Sequence, residues 1–171
     1  SAENPLPAIV TSHGWFNNRE MQDMNFVEYA RRGYVVLSID MQGHGNSEVL
    51  YSSEIYPSAV GMYDAVKLIA DLPYVDSTRI GVTGHSNGAM AANFATDQDN
   101  YADPQLIASL LFVANDATYT DPDGAFFDKY GSRDVGVVAA IYDEFFFRTY
   151  LADGTYLAPG EYINNANAQS F

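Results

Sequence analysis

The stretch Arg79-Ile80-Gly81-Val82-Thr83-Gly84-His85-Ser86-Asn87-Gly88-Ala89-Met90-Ala91-Ala92-Asn93-Phe94-Ala95 decides how this chain is read. Its first five residues have the character of a short β-strand, and its last seven that of a helix. Between them Gly84, His85, Ser86, Asn87 and Gly88 spell G-x-S-x-G. A serine between a strand and a helix sits in a sharp, strained turn that exposes its Oγ. Small residues are required two positions to either side, because side chains there would strike the strand and the helix. Gly84 and Gly88 meet that requirement. Ser86 is thus a candidate nucleophile, and acyl transfer the reaction class it points to. A serine nucleophile also needs a base, usually a later histidine, yet His13, His44 and His85 all precede Ser86.

Outward from this motif, strands and helices alternate. Ala8-Ile9-Val10-Thr11-Ser12 reads as a buried strand ending at His13-Gly14. A helix is predicted from about Glu20 to Arg32, with acidic residues Glu20 and Asp23 early and Arg31-Arg32 in its last turn, as the helix dipole favours. Gly33 is the expected residue just past its end. Tyr34 to Asp40 is nearly continuous in apolar residues, which suggests a parallel sheet covered on both faces. From Ser58 to Asp71, Val60, Tyr63, Val66 and Ala70 recur at helical spacing. Leu106 to Val113 and Val135 to Tyr142 are further strands. Five strands and three helices in alternation predict an α/β, doubly wound, mostly parallel architecture with helices on both faces. No repeat or linker interrupts it, so residues 1–171 read as one domain.

Two loops add chemistry. His13-Gly14-Trp15-Phe16 follows the first strand, where a backbone N–H can form half of an oxyanion hole. The other half falls to Asn87, the residue after the nucleophile. Such preset donors contribute about 3–4 kcal/mol each. Asp40-Met41-Gln42-Gly43-His44-Gly45-Asn46-Ser47 reads as a tight turn beneath the site, with His44 bonding that turn rather than acting as base. His13 is expected to order its own loop, and His85 to point away from the substrate side of Ser86.

These three segments, in this order, resemble the α/β-hydrolase superfamily, above all bacterial esterase-like and dienelactone-hydrolase-like members. The resemblance covers roughly residues 8 to 148. It implies that the strands correspond to the third through seventh of the family's usual eight. It makes Ser86 the nucleophile, Trp15 and Asn87 the oxyanion donors, and Gly84, His85 and Gly88 parts of the elbow. It places the triad acid at Asp143, in Ile141-Tyr142-Asp143-Glu144, with Glu144 as substitute and Asp116 as the rarer alternative. The family order is serine, acid, histidine, so the histidine is expected beyond Phe171 and the domain is expected to be incomplete at both ends. The implied function is hydrolysis of a carboxylic ester or related acyl bond of a small molecule. The alternative is an inactive hydrolase-like module kept for binding or assembly.

Composition narrows the field. A net charge of −14, from 22 acidic and 8 basic residues, repels phosphate backbones and argues against nucleic-acid binding. The absence of cysteine excludes disulfides and thiolate chemistry. The three histidines match no zinc spacing. Asp121-Pro122-Asp123-Gly124 fails the calcium-loop pattern, since tyrosines (Tyr119 and Tyr130) stand where carboxylates belong. No metal or cofactor is therefore expected. No apolar run approaches a membrane span's length of about 20 residues. Phe145-Phe146-Phe147 packs a core, contacts a second copy in a homo-oligomer or covers a groove. Tyr119, Phe126, Phe127 and Tyr130 either wall an acyl pocket or pack the core.

Overall fold

The structure, a computed structural model, describes residues 4–21, 23–48, 61–113 and 130–138. In chain order the elements are β1 (Leu6–Ser12), α1 (Asp23–Arg31), β2 (Val35–Ile39), α2 (Met62–Ala70), β3 (Val75–His85), α3 (Asn87–Asp99), β4 (Ile107–Val113) and β5 (Asp134–Val138). The strands form a single sheet in the order β2-β1-β3-β4-β5, and every pairing is parallel. From β1 in the interior of the sheet the chain winds outward to β2, then crosses back over β1 to build the other half. Helices α2 and α3 touch each other on one side of the sheet, and α1 packs on β2.

The sheet contributes Ala8, Val10, Ile80, Val82, Ile107 and Leu110 to the core, all 3% exposed or less. Met62, Val66 and Ile69 of α2 pack onto it from one helical face. α3 presents Ala89, Ala91, Ala92 and Ala95. These small side chains let the helix that follows Ser86 lie close against the sheet, which holds the preceding turn in place.

Of the boundaries that depart from the sequence expectation, three have a clear local reason. Helix α1 starts at Asp23 rather than Glu20. Asn18 draws the preceding residues into a turn, accepting the Glu20 N–H on its side chain at 2.9 Å and the Met21 N–H on its carbonyl at 3.2 Å. Side-chain turns of this kind compete directly with the first helical turn. At its other end Gly33 has φ +91°, and its N–H reaches Ala30 O while the Tyr34 N–H reaches Tyr29 O. That is the Schellman pattern, with glycine in the left-handed position. Strand β3 begins at Val75, four residues early. Leu6 pairs with Val75 but Ala8 with Ile80, so the polar segment 76–79 bulges out of register. There the Asp76 carboxylate accepts from Thr78 and Arg79, and these exposed hydrogen bonds hold the acid down at about 2. Helix α3 runs on to Asp99, past Ala95, because its last turns are anchored by buried polar contacts described below.

Candidate active site

Parallel winding puts the carboxyl ends of all five strands at one edge. The chain leaves β1 toward β2 on one side and returns to β3 on the other, so strand order reverses between β1 and β3. In open α/β sheets this crevice is where ligands bind. The two loops that meet there are residues 13–16, after β1, and the turn at Ser86, after β3.

Ser86 is half-buried and adopts φ +55°, ψ −117°. A non-glycine residue rarely takes a positive φ, and holding it there costs on the order of 1–3 kcal/mol. The neighbours leave little choice. A Cβ on Gly84 would collide with the Gly88 carbonyl group. A Cβ on Gly88 would collide with the Ser12 carbonyl and lie 2.7 Å from His13 O. Strand β3, helix α3 and the end of β1 are therefore interlocked through two missing side chains. The Ser86 carbonyl accepts from Ala89 N–H at 2.9 Å and Met90 N–H at 3.3 Å, starting α3 directly beneath the serine. The positive end of that helix dipole is thus aimed at the Ser86–Asn87 turn.

The loop after β1 lies against this turn. A Cβ on Gly14 would stand 3.4 Å from Ser86 Cβ and 3.2 Å from His85 Nδ1, so the two loops are in close contact here. His13, 2% exposed, is fixed at both ring nitrogens. The Met41 N–H donates to Nε2 at 3.1 Å, which leaves Nδ1–H to donate to the Gly14 carbonyl at 2.7 Å. Burial is the main influence that lowers the His13 pKa, so the ring stays neutral. His13 orders its loop and has no free nitrogen with which to take a proton.

The turn after β2 supports the same place from the side. The Asp40 carboxylate, 4% exposed, accepts the Arg19 backbone N–H and guanidinium, each at 2.7 Å, and the Asn46 N–H at 3.0 Å. Burial works to raise its pKa, but the Asn46 and Arg19 donors outweigh it and hold the carboxyl below its usual range. Gly45, at φ +54°, passes so close to this carboxylate that no Cβ fits. His44 Nδ1 bonds the Gln42 carbonyl at 3.0 Å. Its ring lies 5.1 Å from His13 and 5.5 Å from Trp15, whose ring is 6.0 Å from Phe16. No hydrogen bond joins any of the three histidines to Ser86 among the described residues.

Sequence reasoning missed the anchor at the other end of α3. Asp99, fully buried, accepts Leu106 N–H at 2.8 Å, Ile107 N–H at 3.0 Å, Tyr63 O–H at 3.1 Å and Arg133 Nη2–H at 2.7 Å. Arg133, 5% exposed, also donates to Ile107 O and Asn100 Oδ1. Burial raises the Tyr63 hydroxyl, with Asp99 adding to the effect. Tyr130, 1% exposed, donates to Asn93 Oδ1 at 2.7 Å. It is therefore part of the core and not of a pocket wall. The only sequence signal for this network is a charged pair at the two ends of apolar segments, Asp99 before β4 and Arg133 before β5.

Ser86, Asn87, Gly84, His85, Gly88 and Trp15 thus share one edge of the sheet. The acids Asp143, Glu144 and Asp116, and the aromatics Tyr119, Phe126, Phe127 and Phe145 to Phe147, lie outside the described residues. Among the described residues no cluster of histidine and carboxylate groups could hold a metal, and no helix is long and apolar enough to cross a membrane.

Comparison with known proteins agrees with this fold. Residues 1–141 match the family described as X-Pro dipeptidyl-peptidase (S15 family). Among solved structures the chain is similar to an esterase of Pyrococcus furiosus, at 25% identity and a TM-score of 0.52, over 74% of this chain and 49% of that one. It is similar to an esterase of Pyrobaculum calidifontis at 24% identity and a TM-score of 0.53, over 77% and 44%. An α/β hydrolase of Penicillium matches at 21% identity and a TM-score of 0.51, over 66% and 38%. The chain spans less than half the length of each of these structures. No match was found among curated protein sequences.

Proposed function

The chain belongs to the X-Pro dipeptidyl-peptidase family and has the α/β-hydrolase fold, and we propose that it is the nucleophile-bearing part of a serine hydrolase that cleaves a carboxylic ester or a related acyl bond. The observation that carries this reading is Ser86 held at φ +55° at the sheet's switch point. A strained turn interlocked by two glycines has no structural use that an ordinary loop would not serve. Its use is to raise a hydroxyl clear of the strand and helix.

In the proposed reaction Ser86 Oγ attacks the substrate's carbonyl carbon and passes its proton to a histidine. The oxygen of the tetrahedral intermediate takes up negative charge, facing the backbone N–H groups of Trp15 and Asn87 at the head of α3. The intermediate collapses, the leaving group departs with the proton, and the acyl group stays on Ser86 until water releases it by the same steps. Asp143 is assigned to orient the histidine. His13 is excluded as the base because both its nitrogens are engaged. The base is assigned instead to the histidine that the family order places after the acid.

A fluorophosphonate probe tests the assignment on the complete protein. Ser86 should carry the label by peptide mass spectrometry, and S86A should carry none. Hydrolysis of a nitrophenyl ester and of an X-Pro nitroanilide then separates esterase from peptidase use. A second reading, a hydrolase-like binding module, draws on the lack of any histidine bonded to Ser86 among the described residues. A folded, complete protein that resists the probe would establish that second reading.

A further inference from the structure

Phe16 is 94% exposed and sits at φ +62°. A bulky aromatic in the left-handed region is a backbone outlier, and a fully exposed phenylalanine gains nothing from burial. Both costs fall on one residue, in the loop whose Gly14 lies against Ser86. The same loop is otherwise tightly built, since His13 is locked from both sides and Asn17 N–H closes a turn onto the Gly14 carbonyl at 3.4 Å. The strained residue is thus held in place and is not a frayed tip. Inward from Phe16 the rings of Trp15, His44 and His13 follow one another at centroid distances of 6.0, 5.5 and 5.1 Å. They form a continuous aromatic ladder from the buried end of β1 to solvent.

We propose that Phe16, backed by Trp15, is a specificity-determining wall that seats a ring-bearing acyl group of the substrate. The proposal rests on the nucleophile assignment above for its choice of the acyl side. The carbonyl carbon attacked by Ser86 would lie beside the oxyanion loop, and the acyl substituent stays bonded to that carbon through both halves of the reaction. A wall on the oxyanion loop therefore serves the group that remains. The Trp15 and Phe16 rings are tilted by 40°. A third ring can add to such a pair edge-to-face or offset, which aromatic groups prefer. An alkyl chain gains only its contact area.

Trp15 is the chain's single tryptophan and lies in the wall, so it reports occupancy directly. S86A is titrated with N-methylphenylacetamide and N-methylbutyramide while tryptophan fluorescence is followed; without the serine neither probe can turn over. The aryl amide should change the emission and bind more tightly than the alkyl one. Adding Phe16→Ala should weaken aryl binding roughly threefold to tenfold and alkyl binding by less, while Phe16→Tyr should restore the aryl preference. Tyr101→Ala, which removes an equally exposed aromatic beyond the far end of α3, should change neither. Equal binding of the two probes, or an aryl preference that survives Phe16→Ala in a variant with native circular dichroism, would overturn the proposal. Failure of Ser86 to take the fluorophosphonate would count against the nucleophile and leave this binding result standing.

Discussion

At the scale of single residues, the site is defined as much by missing side chains as by present ones. Gly84 and Gly88 abut backbone, and backbone cannot swing aside as a side chain can. Either Gly→Ala change should destabilise the protein by about 3 kcal/mol, at the upper end of overpacking effects, as read from urea denaturation. Ser86 supplies the complementary test. Its φ of +55° is one that glycine adopts without strain. S86G should therefore be more stable than S86A by about 1 kcal/mol, although both lose the nucleophile; equal stability would show that the turn is unstrained. His13 gives the site a pH dependence. Its pKa is lowered in the fold from an ordinary 6.5, so the unfolded chain binds more protons in the interval between the two values. Stability from this group is complete above pH 6.5 and is lost as the pH falls through the folded value. His13→Gln should flatten the acid side of a plot of melting temperature against pH.

At the scale of elements, the sequence made legible the parts whose pattern is local. Val35 to Ile39 and Ile107 to Val113 are apolar runs, and the structure makes both of them strands. The elbow is equally local, because the strand, the glycines and the helix are contiguous. What escaped was set by side chains acting across the chain. Asn18 delays α1, and the bulge at 76–79 lies inside what is nonetheless one long strand. Asp99 carries no local signal, since its partners Tyr63, the adjacent Leu106 and Ile107, and Arg133 come from three separate places in the sequence. This carboxylate joins the end of α3 to the starts of β4 and β5. Arg133→Met should cost about 3–5 kcal/mol, because a fully buried charge loses its counterion. The loss should appear as global destabilisation in denaturant. A change below about 1 kcal/mol would mean that the backbone N–H groups alone satisfy Asp99.

At the scale of the whole molecule two properties stand out. The net charge of −14 sets the surface against itself, and such self-repulsion weakens a compact state until salt screens it. Raising sodium chloride from about 0.02 to 0.5 M should add about 1 kcal/mol, or roughly 2–4 °C in melting temperature for a chain of this length. A protein whose melting temperature falls with salt would point to ion pairs outweighing repulsion. The other property is the order of the sheet. β1 lies in the interior between β2 and β3 and is synthesised before either of them. Its second edge is completed only when residues 75–85 arrive. At roughly 5–20 residues per second, the 46 positions from Ile39 to His85 hold that edge open for roughly 2–9 seconds of synthesis. During that time an apolar strand offers its hydrogen bonds to any neighbouring chain. The winding that brings the two loops of the site together also leaves each newborn copy briefly open to pairing with the wrong partner.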